Sequence, residues 1–586
     1  MPPVHGGFGY VTMTEKTFTM VLDKGIVDAP GGGGPVDATG TVFHVPDITQ
    51  RPARAEIDLK TESTVGAMLA LLDHPVFNIM SRAGQPTDLA EGHARMEAKI
   101  GLSLAKKVTP QDVEYSVSGV LSDLRSEKAV PNRVLEADTL NLSADRDQIS
   151  ISGAARLDGV PVQGVWSQAL GPEQQGQSRV EGTVELSPRF VKAFGIGLPD
   201  GTVTGSGLGH VAIDLAKDTA ARFELTSDLN RVGLSLPGLG WSKPRNAHGS
   251  LQVSGSLGAP PVIDSLSISA PGLSAAGTLA IGGDGALREA RFSRVRVGDW
   301  LDAPVVLGGR GAGRPPSVAI KGGRLDLRNS PFAKGRGTGE GGPVAVALDR
   351  LIVSRAITLY DVRGVLTPEG ALNGRLRGRV GNGAPVVATL VPARGGTAIH
   401  VQSDDAGGVL RGAGIFEKSR GGTLDLMLTP RGAPGEYNGR MTIRNTRVKG
   451  APVLAELLSA ISVVGILQLL DGEGLTFSEV SADFILTPNA LQISRGSAIG
   501  TSLGISLAGV YDLKANRVDM QGVISPIYLL NSVGSFLTRK GEGLFGFNYR
   551  LSGDAAAPSV GVNVLSILTP GMFREIFRRP PPEIAE

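Results

Sequence analysis

The chain has 586 residues, including 82 glycines, 37 prolines and no cysteine, with 5 % aromatic side chains and a formal net charge of +2. A single compact core does not grow to that length, so several domains or a repeat array are required. The missing cysteine removes disulfides, thiolate metal sites and cysteine nucleophiles, and the near-zero charge supplies no general field for nucleic acid.

The N-terminal stretch MPPVHGGFGYVTMTEKTFTMVLDKG lacks the basic and apolar regions of a signal peptide. Phe18, Met20 and Leu22 alternate before an Asp23-Lys24-Gly25 turn. This resembles the middle of a sheet, and suggests a truncated protein or a late start site. Residues 65–80 (VGAMLALLDHPVFNIM) then predict a short apolar helix ahead of a strand carrying Met96, Ala98 and Ile100. Leu140 and Leu142 face Ile149 and Ile151 across a turn, the signature of a hairpin. The pairing of helix with strand recurs. RFVKAFG (189–195) precedes Val211, Ile213 and Leu215, and DDAGGVLRGAG (404–414) precedes Leu424, Leu426 and Leu428. APVLAELLSAISVVGILQLL (451–470) precedes Phe484 and Leu486, and IYLLNSVGSFL (527–537) precedes Phe545, Phe547, Tyr549 and Leu551. Between these, Leu503, Ile505 and Leu507 share one face of a strand. The fold class expected is mainly β: one long, curled antiparallel sheet forming a repeating groove, with a few short apolar helices. GGRGAGRPP (308–316) and SPFAKGRGTGEGGP (330–343) are Gly/Pro/Arg loops, and the tail 580–586 is expected to be disordered.

An alternating strand has one apolar face, and burying it stabilises by roughly 25 cal/mol per Å². Two packed sheets, a closed barrel or solenoid, or a gutter filled by an apolar ligand each satisfy that demand. Residues 452–470 approach the ~20 residues that span a bilayer, but they contain Glu456, Ser459, Ser462 and Gln468, and Asp471 and Glu473 follow. They are read as a helix over the apolar groove, with Pro452 at its first position.

No catalytic constellation is present. His5, His44, His74, His93, His210, His248 and His400 do not fall at ligand spacing, so no metal is expected. GTGEGG (337–342) matches a dinucleotide fingerprint but opens onto the strand PVAVALDR instead of a helix. No cofactor is expected.

Several stretches in order carry a resemblance: NRVGLSLPGLGWSKP (230–244), SDDAGGVLRGAGIFEKSRGGTLDL (403–426), the 451–470 helix with DGEGLTF, SPIYLLNSVGSFL (525–537) and VNVLSILTPGMFREIF (562–577). Together they resemble the AsmA-like superfamily, in its long YhdP/TamB-type branch of Gram-negative envelopes. The resemblance implies a repeating β-groove over 1–400 and an AsmA-like C-terminal region over 401–579. It implies a non-enzymatic, bridge-like protein of the periplasm that carries phospholipids toward the outer membrane. It also implies an inner-membrane anchor in an N-terminal segment missing from this sequence, which is then expected to be the C-terminal portion of a longer protein. The groove would be lined by Leu424, Leu426, Leu428, Phe484, Leu486, Leu503, Ile505, Leu507, Phe545 and Phe547. Leu529, Leu530, Phe536 and Leu537, with Met572, Phe573, Ile576 and Phe577, give apolar stripes beside basic residues and are expected to meet a membrane surface at the C-terminal end. Plugging the last turn of the sheet is the alternative role for those two segments. Two other functions compete with the conduit: a scaffold for outer-membrane protein assembly acting through strand edges, and a polysaccharide-binding solenoid.

Overall fold

The computed structural model describes residues 3–75, 78–106, 112–170, 176–217, 219–258, 260–283, 285–311, 313–331, 341–368, 370–381, 383–528, 538–569, 571 and 573–574. The protein is mainly β. Among the described residues, 33 strands belong to one mixed sheet and three short ones to a second. The chain divides into two compact units. The first comprises Met1–Ser235, Ser242–Pro271 and Ala276–Leu287; the second comprises Leu236–Trp241, Gly272–Ala275 and Arg288–Glu586.

In the first unit the strands follow one another as antiparallel neighbours, from Arg54–Thr64 through Glu91–Ser103, Val113–Val130, Arg133–Ala144, Gln148–Leu157 and Val160–Ala169 to Gln177–Leu186. The strand Val4–Met13 pairs with Phe18–Ala29 and is exposed along its whole length. In the second unit the meander runs from Leu287–Val297 to Ser559–Asn563. It contains one departure from the antiparallel expectation. Val344–Ile352 runs parallel to both Ser317–Lys321 and Arg324–Asp326.

The helices occupy a consistent place. Helix α1 (Val65–Leu72) follows the end of Arg54–Thr64, and Thr64 caps it by accepting from the Ala67 amide at 3.2 Å. A second short helix, α2 (Ile79–Ala83), follows, so the 65–80 segment is two pieces where one was expected. Helix α3 (Pro188–Ala193) starts with proline behind a Ser187 cap, and α4 (Ala406–Gly412) is capped by Asp405, which accepts from the Gly408 amide at 2.8 Å. The 451–470 stretch also divides, into α5 (Pro452–Ala460) and α6 (Val464–Asp471). The break lies at Ser462, whose φ of +57° belongs to the left-handed region and interrupts a right-handed helix. Among the described residues no helix is long and apolar enough to cross a membrane.

Tracing strand direction through these pairings shows that, within each unit, every helix connects strands at the same edge of the sheet. At the other edge the connections are mostly short turns, such as Ala393 to Gly396 and Asp512 to Arg517. Buried apolar clusters gather at the helical edge. In the first unit α1 packs Val65 against Ala94, Leu121 and Leu140. In the second, α4 lies over Leu424 and Ile443, and α5 and α6 cover Leu475, Phe477, Leu503, Ile524 and Phe547.

Candidate functional site

Strand register in the second unit places apolar side chains on one face without interruption. On Thr423–Pro430, Leu424, Leu426 and Leu428 stand opposite Ile443, Met441 and Gly439. Those stand opposite Val480, Ala482 and Phe484, and Leu486 pairs with Tyr437. The next strands continue with Ala498, Gly496, Ile493 and Leu491, then Ile505, Leu507 and Tyr511, then Ile524 and Met520. Phe547, Tyr549 and Leu551 follow, and Val562 and Val560 end the face. Followed the other way, the same face runs through Ile399 and Val401, Leu390 and Ala388, and Leu376 to Val346 and Val344. Among the described residues, no charged side chain falls on this face of the strands from Val344–Ile352 to Ser559–Asn563. The charges stand on the other face, where Arg440 donates to Asp483 at 2.9 Å and Arg550 grips Asp519 through two nitrogens.

Two local devices keep the face smooth. Asn445 adopts φ +55°. Around it the side-chain phase shifts by one residue, so that Thr446 and Val448 are buried on the same side as Ile443. Gly439 leaves room for the Phe484 ring, because a Cβ there would meet the ring at 2.1 Å. Burial pushes the Tyr437 hydroxyl above its ordinary pKa, as an apolar surrounding does for any group that becomes charged on losing a proton.

The cover over this face is uneven. Leu503 is 1 % exposed, and Leu424 and Phe547 are also buried, under α4, α5 and α6. Toward the turn edge, Leu426, Leu428, Phe484, Leu486, Leu491, Ile493, Tyr511 and Met520 are half-buried. The sequence-predicted groove residues on strands therefore do share one face, but they divide between a helix-covered core and a more open end. Ile505 and Leu507 stand between, packed at the margin of the α5–α6 cluster. Phe545 precedes its strand and is exposed. Tyr437, Leu491, Ile493, Tyr511 and Met520 belong with the groove residues but were not singled out from the sequence. Two of these lie beyond shifts in strand register, which blur a simple alternation.

Of the expected membrane-contacting residues, Leu529, Leu530, Phe536, Leu537, Met572, Ile576 and Phe577 lie outside the described residues. Phe573 is 55 % exposed. Arg574 differs from its expected place beside a headgroup surface. It is fully buried and donates to the carbonyls of Thr569 at 3.1 Å and Gly543 at 2.8 Å. A guanidinium used this way ties the segment after Val564–Leu568 to the loop that precedes Phe547–Asp554.

A cleft of about 1390 Å³ in the second unit is lined by Arg440, Thr442, Glu479, Ser481, Asp483 and Arg495 from the charged face and also touches Met441, Leu507 and Met520. Its cations are neutralised internally, since Asp483 also pairs with Arg495 at 3.3 Å and Lys540 pairs with Glu479. It offers a polar lining, but no pair of groups set apart as acid and base. Among the described residues no group of three His, Asp or Glu side chains is placed to hold a metal. No protein-family model, curated protein or solved structure matches this chain.

Proposed function

We propose that the uncharged face of the second unit receives acyl chains, and that the protein is a non-enzymatic carrier of phospholipids between the membranes of a Gram-negative envelope. What supports this reading is the run of strands from Val344–Ile352 to Ser559–Asn563 whose apolar face carries no charge, yet is helix-covered only at one edge. Aliphatic side chains interspersed with glycine make a surface without directional demands, which suits a disordered chain of methylenes. The resemblance to the AsmA-like superfamily adds the phospholipid and the periplasmic setting. Extraction of the purified protein is expected to yield phospholipid near stoichiometric amounts. Leu428→Asp combined with Leu486→Asp should remove most of it while circular dichroism and melting temperature stay close to wild type. Unchanged lipid in the folded double variant would refute the proposal.

A second reading, scaffolding of outer-membrane proteins through strand addition, is favoured by one observation. Val4–Met13 is a ten-residue strand without Lys, Arg, Asp or Glu, exposed throughout. Edge strands that must not pair usually carry such charges. Pull-down of unfolded β-barrel clients by wild type, lost in a Tyr10→Lys, Thr12→Lys variant, would favour it over the carrier.

A further inference from the structure

The charged face of the second unit is mostly neutralised by local pairs. Arg294 and Arg296 share Asp302, Arg324 and Arg328 share Asp326, and Arg440 and Arg495 share Asp483. A cluster on neighbouring strands departs from this habit. On Leu372–Val380, Arg375, Arg377 and Arg379 alternate on the face opposite the apolar one, and all are exposed. Arg363 on Thr358–Pro368 stands directly opposite Arg377, and Arg350 stands opposite Tyr360, itself the partner of Arg379. None of these five arginines makes an ion pair or a side-chain hydrogen bond among the described residues. Asp349 is nearby in sequence, but its carboxylate accepts from the Gly323 amide at 2.7 Å.

Like charges directly across a strand pair destabilise a sheet, so Arg363 opposite Arg377 costs stability that the fold does not recover internally. We propose that this arginine field docks the protein onto an anionic membrane surface. Three considerations select that occupant. Neighbouring arginines along one strand are roughly 6.8 Å apart at Cα, and cross-strand partners about 5 Å. Their head groups therefore spread over a strip, and a single small anion cannot satisfy them all. The side chains between them, Val365 opposite Arg375 and Val387 opposite Arg377, are small. The one large ring among them, Tyr360, is 39 % exposed, and a tyrosine with an apolar body and a polar tip suits a headgroup layer. A fluid layer of anionic headgroups brings a phosphate to each guanidinium without needing matched positions. This site lies on the face opposite the acyl-chain surface and stands whether or not that surface carries lipid.

The test is co-sedimentation of the full chain with vesicles of phosphatidylcholine alone or with an equal part of phosphatidylglycerol. Wild type is expected to bind only the anionic vesicles, more weakly at about 0.15 M salt than at 0.01 M, as screening requires. Arg363→Gln, Arg375→Gln, Arg377→Gln and Arg379→Gln together should lower the association constant on the order of 10²–10³-fold. Its melting temperature should be no lower than wild type, because the opposed charges are gone. The Leu428→Asp, Leu486→Asp variant should bind these vesicles as wild type does, which separates this site from the acyl-chain surface. Equal binding to neutral vesicles, unchanged binding by the fourfold variant, or retention by immobilised polyglutamate without vesicle binding would each overturn the proposal, the last in favour of an acidic polypeptide.

Discussion

The two ends of the same strands in the second unit differ more than their sequences suggest. Leu503 and Ile524 at the helical edge, and Tyr511 and Met520 toward the turns, lie on one face of two adjacent strands. The first pair is sealed under α5 and α6, and the second pair is half-buried. Alternation alone assigns all four the same role. What separates them is where the chain leaves the sheet to form a helix. A face is thus divided by its connections: one end holds the fold together, and the other is left for something else to cover.

Substitutions should expose that division. The largest effect belongs at the sealed edge, where Leu458 on α5 has no exposed surface. Leu458→Ala removes packed methylenes and leaves a cavity, so a loss of about 2–5 kcal/mol in denaturant midpoint experiments is expected. An intermediate effect, about 2 kcal/mol, attaches to Asp326, also at the helical edge. Its carboxylate accepts from Arg328 Nη2 at 2.7 Å and from Arg324 at 3.0 Å. The Arg328 hydrogen bonds, opposed by desolvation and helped by Arg324, hold it down to about 2. The unfolded value is near 3.9, so this stabilisation is complete above about pH 4 and is lost as the pH falls through about 2. Thermal melts between pH 5 and pH 2 (about those limits) should lose that increment in wild type, and Asp326→Asn should flatten the loss. Gly439→Ala, in the open region, forces the Phe484 ring to move and should cost roughly 1–3 kcal/mol. A Gly439→Ala, Phe484→Leu pair should recover part of that loss, which a double-mutant cycle would register as coupling. The smallest effect on stability, within about 1 kcal/mol, is expected for Leu428→Asp or Leu486→Asp, whose side chains need not leave water. If those variants unfold instead, the turn end is as much a core as the helical end and the division fails.

Much of the architecture was legible because the signals are periodic. Leu424, Leu426 and Leu428 alternate with Asp425 and Met427, and the register places them as that alternation requires. Four of the helix positions followed from short apolar runs ahead of strands, at 65–72, 188–193, 406–412 and 452–471, and Pro452 does begin its helix, while the run expected at 527–537 lies almost wholly outside the described residues. Other features were not legible. Ser462 breaks the long apolar stretch by adopting a left-handed backbone, a conformation that serine gives no warning of. The parallel pairing of Val344–Ile352 depends on contacts between segments far apart in sequence, which local periodicity does not record. Arg574 is adjacent to apolar residues in a pattern shared by interfacial helices and by buried anchors, and its bonds to the carbonyls of Gly543 and Thr569 are not written in that pattern. The arginine field was equally hidden. Arg375, Arg377 and Arg379 resemble any solvated strand face until the absence of paired carboxylates and the opposition of Arg363 are seen together.

The parallel joint also bears on how the second unit folds. Hairpins at the turn edge join residues a few positions apart, so those pairs can zip together with little chain entropy lost at each step. Val318 and Val344 are 26 positions apart (344 − 318) when they pair. Closing that loop costs about 1.5–2 kcal/mol more than closing a four-residue turn, and the parallel ladder does not form until it is closed. Two stretches of sheet can therefore grow independently, one before Asp326 and one after Val344, and must then find each other. The joint, with the helix-bearing connection that brings Val448 to Leu475 across 27 positions (475 − 448), is expected to close after the hairpins of the turn edge. Pulse-labelled hydrogen exchange should find the amides of Val344–Ile352 among the last to gain protection, after those of Thr423–Pro430 and Tyr437–Val448.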